Sequence, residues 1–145
     1  MQIISDAGTY TPPKGDEPNH WVEHMASGEL SLGTYSIPAG GLDDQTSPHT
    51  EDEIYLVQSG RATLVTPAET VRVGPGSAVF VPAGETHQFT EIGEDLTLVV
   101  VFAPPYGSRT LPLSPVAYPE RTGEAASSIP RRARASARSL PGSPA

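Results

Sequence analysis

Three side chains with the chemistry of metal ligands stand in two short stretches of this chain. His49 and Glu53 are separated by three residues within GLDDQTSPHTEDEIYLVQSG (41–60), and His87 lies in GSAVFVPAGETHQFTE (76–91). Imidazole nitrogen and carboxylate oxygen are both donors that a divalent transition metal accepts. The chain has no cysteine, so disulfides and thiolate centres are excluded and any such site must use nitrogen and oxygen.

Strand parity says which neighbours accompany them. Alternate residues along a strand face the same way. Gln45, Ser47 and His49 therefore share a face if that segment is extended. Glu53 shares its face with Tyr55 and Val57, and His87 shares its face with Phe89 and Glu91. Ile54 and Leu56 are apolar as well, so this strand is expected to be covered on both sides. A carboxylate at the start of such a strand is costly to bury alone, and a metal or a strong donor must accompany it. Singly, each residue has an ordinary reading: an inward histidine is commonly a hydrogen-bonded core residue, and Glu53 is one of the acidic run Glu51-Asp52-Glu53. The combination is what points to a site.

The elements that would position these residues are short strands between turn signals. Residues 1–19 read as an arm with an apolar pair, Ile3-Ile4, able to form one edge strand. His20–Met25 reads as a strand, its two histidines as exposed or edge residues and not as ligands. Glu29–Ile37 changes phase at Gly33, which predicts a bulge or bend there. Strands follow at 61–66, 69–73, 77–81 and 87–92, and Pro82-Ala83-Gly84 fits a type I turn with proline second and glycine fourth. Leu96–Phe102 is a near-continuous apolar strand. Eight to ten such strands and no sustained helical period before residue 104 predict an all-β sandwich or barrel over 20–103. Residues 104–119, with Tyr106, Leu111, Leu113, Val116 and Tyr118, are expected to lie against it. Residues 120–145 hold Ile129 and Leu140 as their sizeable apolar side chains and are expected to be disordered.

At 145 residues the chain is one domain by length, with enough material for a core. Its net charge of −8 is unevenly spread: residues 1–103 hold three basic and fifteen acidic side chains, while 104–145 hold six arginines and two glutamates. An acidic body repels phosphate, so nucleic acid is not an expected partner. No stretch has the apolar length of a membrane span and the first residues lack the pattern of a leader, so the expected location is the cytoplasm.

The two stretches together resemble the cupin family. Its first motif is glycine, five residues, His-x-His, three or four residues, Glu, six residues and glycine; here Gly41, His49, Glu53 and Gly60 fit, with Ser47 where the first histidine stands. Its second motif is glycine, five residues, Pro-x-Gly, two residues, His, three residues and Asn; Gly76, Pro82, Gly84 and His87 fit, with Glu91 in place of Asn. The resemblance implies a single jelly-roll β-barrel with His49, Glu53 and His87 as ligands of Fe(II), Mn, Ni or Zn. A serine hydroxyl is a poor ligand, which leaves Gln45 as the candidate fourth donor and Glu51 as a lesser one. Tyr55 and Glu91, expected to face the cavity, are candidates for acid–base work. The implied activity is that of a metal-dependent enzyme on a small oxygen-rich molecule, either dioxygenase-like or an isomerase or cyclase. A non-catalytic ligand-binding cupin, or a barrel that has lost its metal, is the alternative. A homodimer formed through the outer sheet is also expected, because the two-faced apolar strands need covering.

Overall fold

The computed structural model describes residues 1–45 and 47–109. The segment expected to pack beyond Arg109 and the tail 120–145 lie outside the described residues. Among the described residues eight strands occur in chain order: β1 (His20–Ala26), β2 (Ser31–Ile37), β3 (Asp52–Ser59), β4 (Ala62–Val65), β5 (Thr70–Val73), β6 (Ala78–Val81), β7 (Gln88–Thr90) and β8 (Leu96–Ala103). They form two antiparallel sheets, β1-β2-β8-β3-β6 and β5-β4-β7. No helix long and apolar enough to cross a membrane is present among the described residues.

Alternation builds the core. Tyr35 and Ile37 of β2, Tyr55 and Val57 of β3, and Leu96, Leu98, Val100 and Phe102 of β8 point inward against Leu64, Val73, Val81 and Phe89. Side chains of this size each gain about 1.5–3 kcal/mol on leaving water. The register sets Glu53 opposite Phe102 on one side and Val81 on the other, with Tyr55 next along the strand opposite Val100 and Val79. Glu53 thus enters at the end of the barrel where β3 begins and both β6 and β8 finish.

Three local expectations are corrected. The arm 1–19 contains no strand; instead the Gly8 and Thr11 N–H groups donate to the Thr34 and Ser36 hydroxyls, at 2.9 and 3.1 Å. This laps the arm over the outward side of β2, which is why Thr34 and Ser36 are buried there. The irregularity predicted at Gly33 lies across from it, on β1 between Glu23 and Met25. Gly33 itself makes room: a Cβ there would sit 2.2 Å from the Trp21 ring. Finally, Glu85 N–H bonds to the Pro82 carbonyl at 3.1 Å and Gly84 has φ +82°, so the turn runs from Pro82 to Glu85 and is of type II.

The outer face of the larger sheet is covered only in part. Leu32, Val101, Ile54 and Phe80 stand in one cross-strand row, with Ile54 41 % and Phe80 55 % exposed. The expectation that β3 is covered on both faces is therefore not met among the described residues.

Gly60 ends β3 with φ +80°, and a Cβ there would lie 2.5 Å from the Asp95 carbonyl oxygen. Gly60→Ala is expected to cost at least ~1–3 kcal/mol from the left-handed backbone, with the clash in addition. Gly28, with open space around it, is the control: Gly28→Ala should stay within about 0.5 kcal/mol. Urea unfolding midpoints of the two variants measure the difference.

Candidate metal centre

Each of the three predicted ligands arrives on a different kind of element. Glu53 is fixed by strand register in β3 and is 1 % exposed. His87 follows the Pro82–Glu85 turn, one residue before β7, and is buried. His49 belongs to the loop before β3, where its carbonyl accepts the Gly84 N–H at 2.8 Å. The turn carrying His87 therefore also holds the loop carrying His49. Asp52 reinforces this, since its Oδ1 accepts the Ala83 N–H at 2.9 Å.

The geometry suits one cation. Glu53 Oε1 lies 3.5 Å from His49 Nε2, and Glu53 Oε2 lies 3.2 Å from His87 Nε2. One donor atom from each residue can be chosen so that all lie within 4.8 Å of one another. Ligands at about 2.0–2.2 Å around one metal have separations in this range. Glu53 Oε2 is buried without a hydrogen bond, although its neighbour is an imidazole, and Gln45 Oε1 is likewise buried without one. Two orphaned acceptors among nitrogen and oxygen donors fit a divalent transition metal.

The imidazole of His87 is oriented for this task. Its Nδ1 lies 2.9 Å from the Glu85 carbonyl, which can only accept, so Nδ1 carries a proton and the neutral ring presents its Nε2 lone pair to Glu53. Burial depresses the pKa of His87, but the adjacent Glu53 carboxylate, the Glu85 carbonyl and the charge of Asp43 outweigh it and leave the value raised.

Tyr55 stands in the middle of the cluster. Its hydroxyl lies 3.0 Å from Glu53 Oε1, 2.8 Å from His87 Nε2 and 3.4 Å from the Gln45 amide nitrogen. Burial, and then the Glu53 charge, push its pKa well above that of a free phenol. The group is a neutral proton donor at ordinary pH.

The other predicted residues separate. Gln45 reaches the cluster through Tyr55 and lines the cavity above it. Ser47 is exposed, in keeping with its poor ligand chemistry. Glu51 is buried but turns away, accepting from the Thr50 hydroxyl and the Arg109 backbone. Glu91 does not face the cavity: its backbone adopts φ +51°, which breaks the alternation after Phe89, and its exposed carboxylate bonds to the Thr63 hydroxyl. His20 and His24 sit on edge strand β1, beside Glu17 and Thr34 respectively.

A cavity of about 180 Å³ opens over His49, Glu53 and Tyr55. Its walls include Trp21, Phe102 and Tyr106, three mutually packed rings, with Asn19 and Asp44 at the polar side. Sequence reasoning missed these walls because they come from elements far apart in the chain. It also missed Asp43, whose buried carboxylate accepts from the Phe89 N–H at 2.8 Å and the Tyr35 hydroxyl at 3.0 Å. Asp43 so ties the His49 loop to β7 and β2; burial raises its pKa, and those hydrogen bonds partly offset the rise. The signal for it was an acidic pair, Asp43-Asp44, in the segment that precedes His49.

Comparison with known proteins agrees with this architecture. The family model described as a cupin domain matches residues 33–103. A protein of Streptomyces coelicolor, the uncharacterized SCO3923, is 45 % identical over 85 residues, covering 59 % of this chain and 80 % of that protein. TT1209 from Thermus thermophilus superposes with a TM-score of 0.58 at 23 % identity, over 72 % of this chain and 97 % of that one. The DMSP lyase DddQ from Ruegeria pomeroyi gives 0.54 at 25 % identity, over 70 % of this chain and 53 % of that one. A two-sheet antiparallel barrel that converges a histidine, a glutamate and a second histidine from two glycine-bounded stretches, in a chain with such relatives, belongs to the cupin superfamily.

Proposed function

We propose that this cupin binds one divalent transition metal through His49, Glu53 and His87 and acts on a small oxygen-rich molecule as a metal-dependent enzyme. The observation that carries the reading is the buried Glu53 carboxylate, with an imidazole nitrogen 3.5 Å from one oxygen and another 3.2 Å from the second. When bound, the metal supplies Lewis acidity toward an oxygen donor of the ligand and, for Fe(II), a position for dioxygen. Three protein donors, His49, Glu53 and His87, would hold the metal and leave it able to take a ligand from the cavity. The aromatic wall keeps water from the bound molecule, and Gln45 Oε1 is available as a weak fourth donor. Tyr55, neutral and hydrogen-bonded within the cluster, is the residue we assign to donate a hydrogen bond to the reacting molecule. Dioxygenase-like chemistry follows most directly from a two-histidine, one-carboxylate set, with isomerisation or cyclisation as the non-redox form. The likeness to a lyase supports the enzymatic branch. Ser47, in the place of a ligand histidine, favours the second reading, a cupin that binds its small molecule without turning it over.

The decisive experiment is metal analysis of the purified protein, joined to dioxygen uptake and product analysis with phenolic, diketone and amino-acid candidates. Near-stoichiometric metal and turnover are expected. His87→Ala should weaken metal binding by more than about 100-fold, because even outer partners of ligands cost 10–100-fold. Protein indifferent to added Fe(II), Mn, Ni and Zn would overturn the metal reading; metal without turnover would leave the binder.

Proton competition gives a second expectation. Metal binding requires neutral His87, whose pKa in the metal-free protein is raised from 6.5. Affinity should therefore begin to fall above pH 6.5 as pH is lowered, and continue to fall about tenfold per unit once the site is protonated. Metal titrations between pH 8 and 5.5 measure this.

The chain also pairs with a second copy, in our reading, through the partly exposed row of Leu32, Val101, Ile54 and Phe80. Ile54→Glu should convert a dimer to a monomer with an unchanged circular dichroism spectrum. Light scattering decides, and a wild-type monomer would discard the interface.

A further inference from the structure

We infer that the segment leaving β8, Pro104–Arg109, is a strap that positions the ligand His49, with Tyr106 and Arg109 as its positioning residues; this rests on the metal-binding reading above. His49 is the ligand that the barrel holds least. Its side chain is 17 % exposed, against 1 % for Glu53 and 0 % for His87, and it lies on a loop outside any strand.

The strap holds that loop in addition to the Pro82–Glu85 turn. Arg109 Nη1 donates to the Thr50 carbonyl at 3.1 Å, one residue after His49. The Arg109 N–H donates to Glu51 Oε1 at 3.4 Å, and the Thr50 hydroxyl donates to the same oxygen at 2.8 Å. Glu51 is only 2 % exposed, so these donors stand in for the water its carboxylate has lost. The strap is itself anchored to the barrel, since the Tyr106 N–H donates to the Ser31 hydroxyl at 3.0 Å.

The ring of His49 is held as well as its backbone. Phe102 meets it edge-on at 5.2 Å between centroids, and Tyr106 meets it at 5.6 Å and 65°. Phe102 and Tyr106 pack on each other at 4.9 Å and form two sides of a slot for the imidazole. A ligand held in its binding orientation gives up less conformational freedom when a cation arrives. Coupling of this kind is reciprocal: whatever the strap adds to metal affinity, the metal returns as stability of the strap.

The test uses the full chain and Zn²⁺ or Co²⁺ as the probe. Arg109→Ala and Tyr106→Ala are expected to weaken metal binding by about tenfold while the metal-free melting temperature barely moves. Arg109→Lys keeps a donor for the Thr50 carbonyl and should restore affinity to within ~3-fold of wild type. Saturating Zn²⁺ should slow tryptic cleavage after Arg109 several-fold in wild type, and leave it unchanged in His87→Ala, which loses a ligand that the strap does not touch. Variants that bind metal like wild type, or lose affinity only in proportion to metal-free stability, would overturn the strap's role, as would cleavage indifferent to metal. If wild type itself takes up no metal, the metal reading fails and the strap assignment falls with it; if wild type binds and the variants match it, only the strap falls.

Discussion

The desolvated carboxylate of Glu53 is the constraint around which one end of this barrel is arranged. Strand register places it inside, between Phe102 and Val81, where water cannot solvate it. An unpaired buried charge is not tolerated at the level of stability a domain possesses. The Tyr55 hydroxyl satisfies Oε1, the two imidazoles stand 3.5 and 3.2 Å away, and Oε2 is left without a hydrogen bond, the place that the proposed cation would fill. Here the polar groups are concentrated at one end, and the remainder of the interior is left to Leu, Ile, Val and Phe.

Convergence at that end is a matter of loop tying. The two stretches that carry the histidines are joined close to those histidines by the Gly84 N–H on the His49 carbonyl and the Ala83 N–H on Asp52. Asp43 adds a third tie, to β7 and Tyr35. A site on loops is less exact than one on strands unless its loops are held this way. The proline and glycine of the Pro82–Glu85 turn matter for the same reason, because a type II turn aims the Gly84 amide outward, where it can reach across.

Comparison of the residues with their positions shows where sequence reasoning succeeds. The eight strands were legible because apolar residues at alternate positions between glycine and proline turns leave few other solutions. The inward set Glu53, Tyr55 and Val57 followed from the same period. Reasoning failed where the backbone leaves the regular strand. Glu91 shares its parity with His87 and Phe89, yet a left-handed residue turns it out to Thr63. Gly33 marks a change of phase, but its cause is the Trp21 ring on the neighbouring strand, a contact that no local pattern encodes.

What the sequence alone determined is the class of fold, the family motifs and the donor types: nitrogen and oxygen, two histidines and a glutamate, in spacings that a small barrel can close. These are local properties, written in residue identity and in periods of a few residues. Tertiary structure decided the rest. It set the 3.2 and 3.5 Å separations, placed Tyr55 among the ligands, turned Glu51 toward the strap instead of the cluster, and built the cavity wall from Trp21, Phe102 and Tyr106. Those outcomes depend on contacts between segments dozens of residues apart, and their geometry is fixed only when both sheets close on a common core.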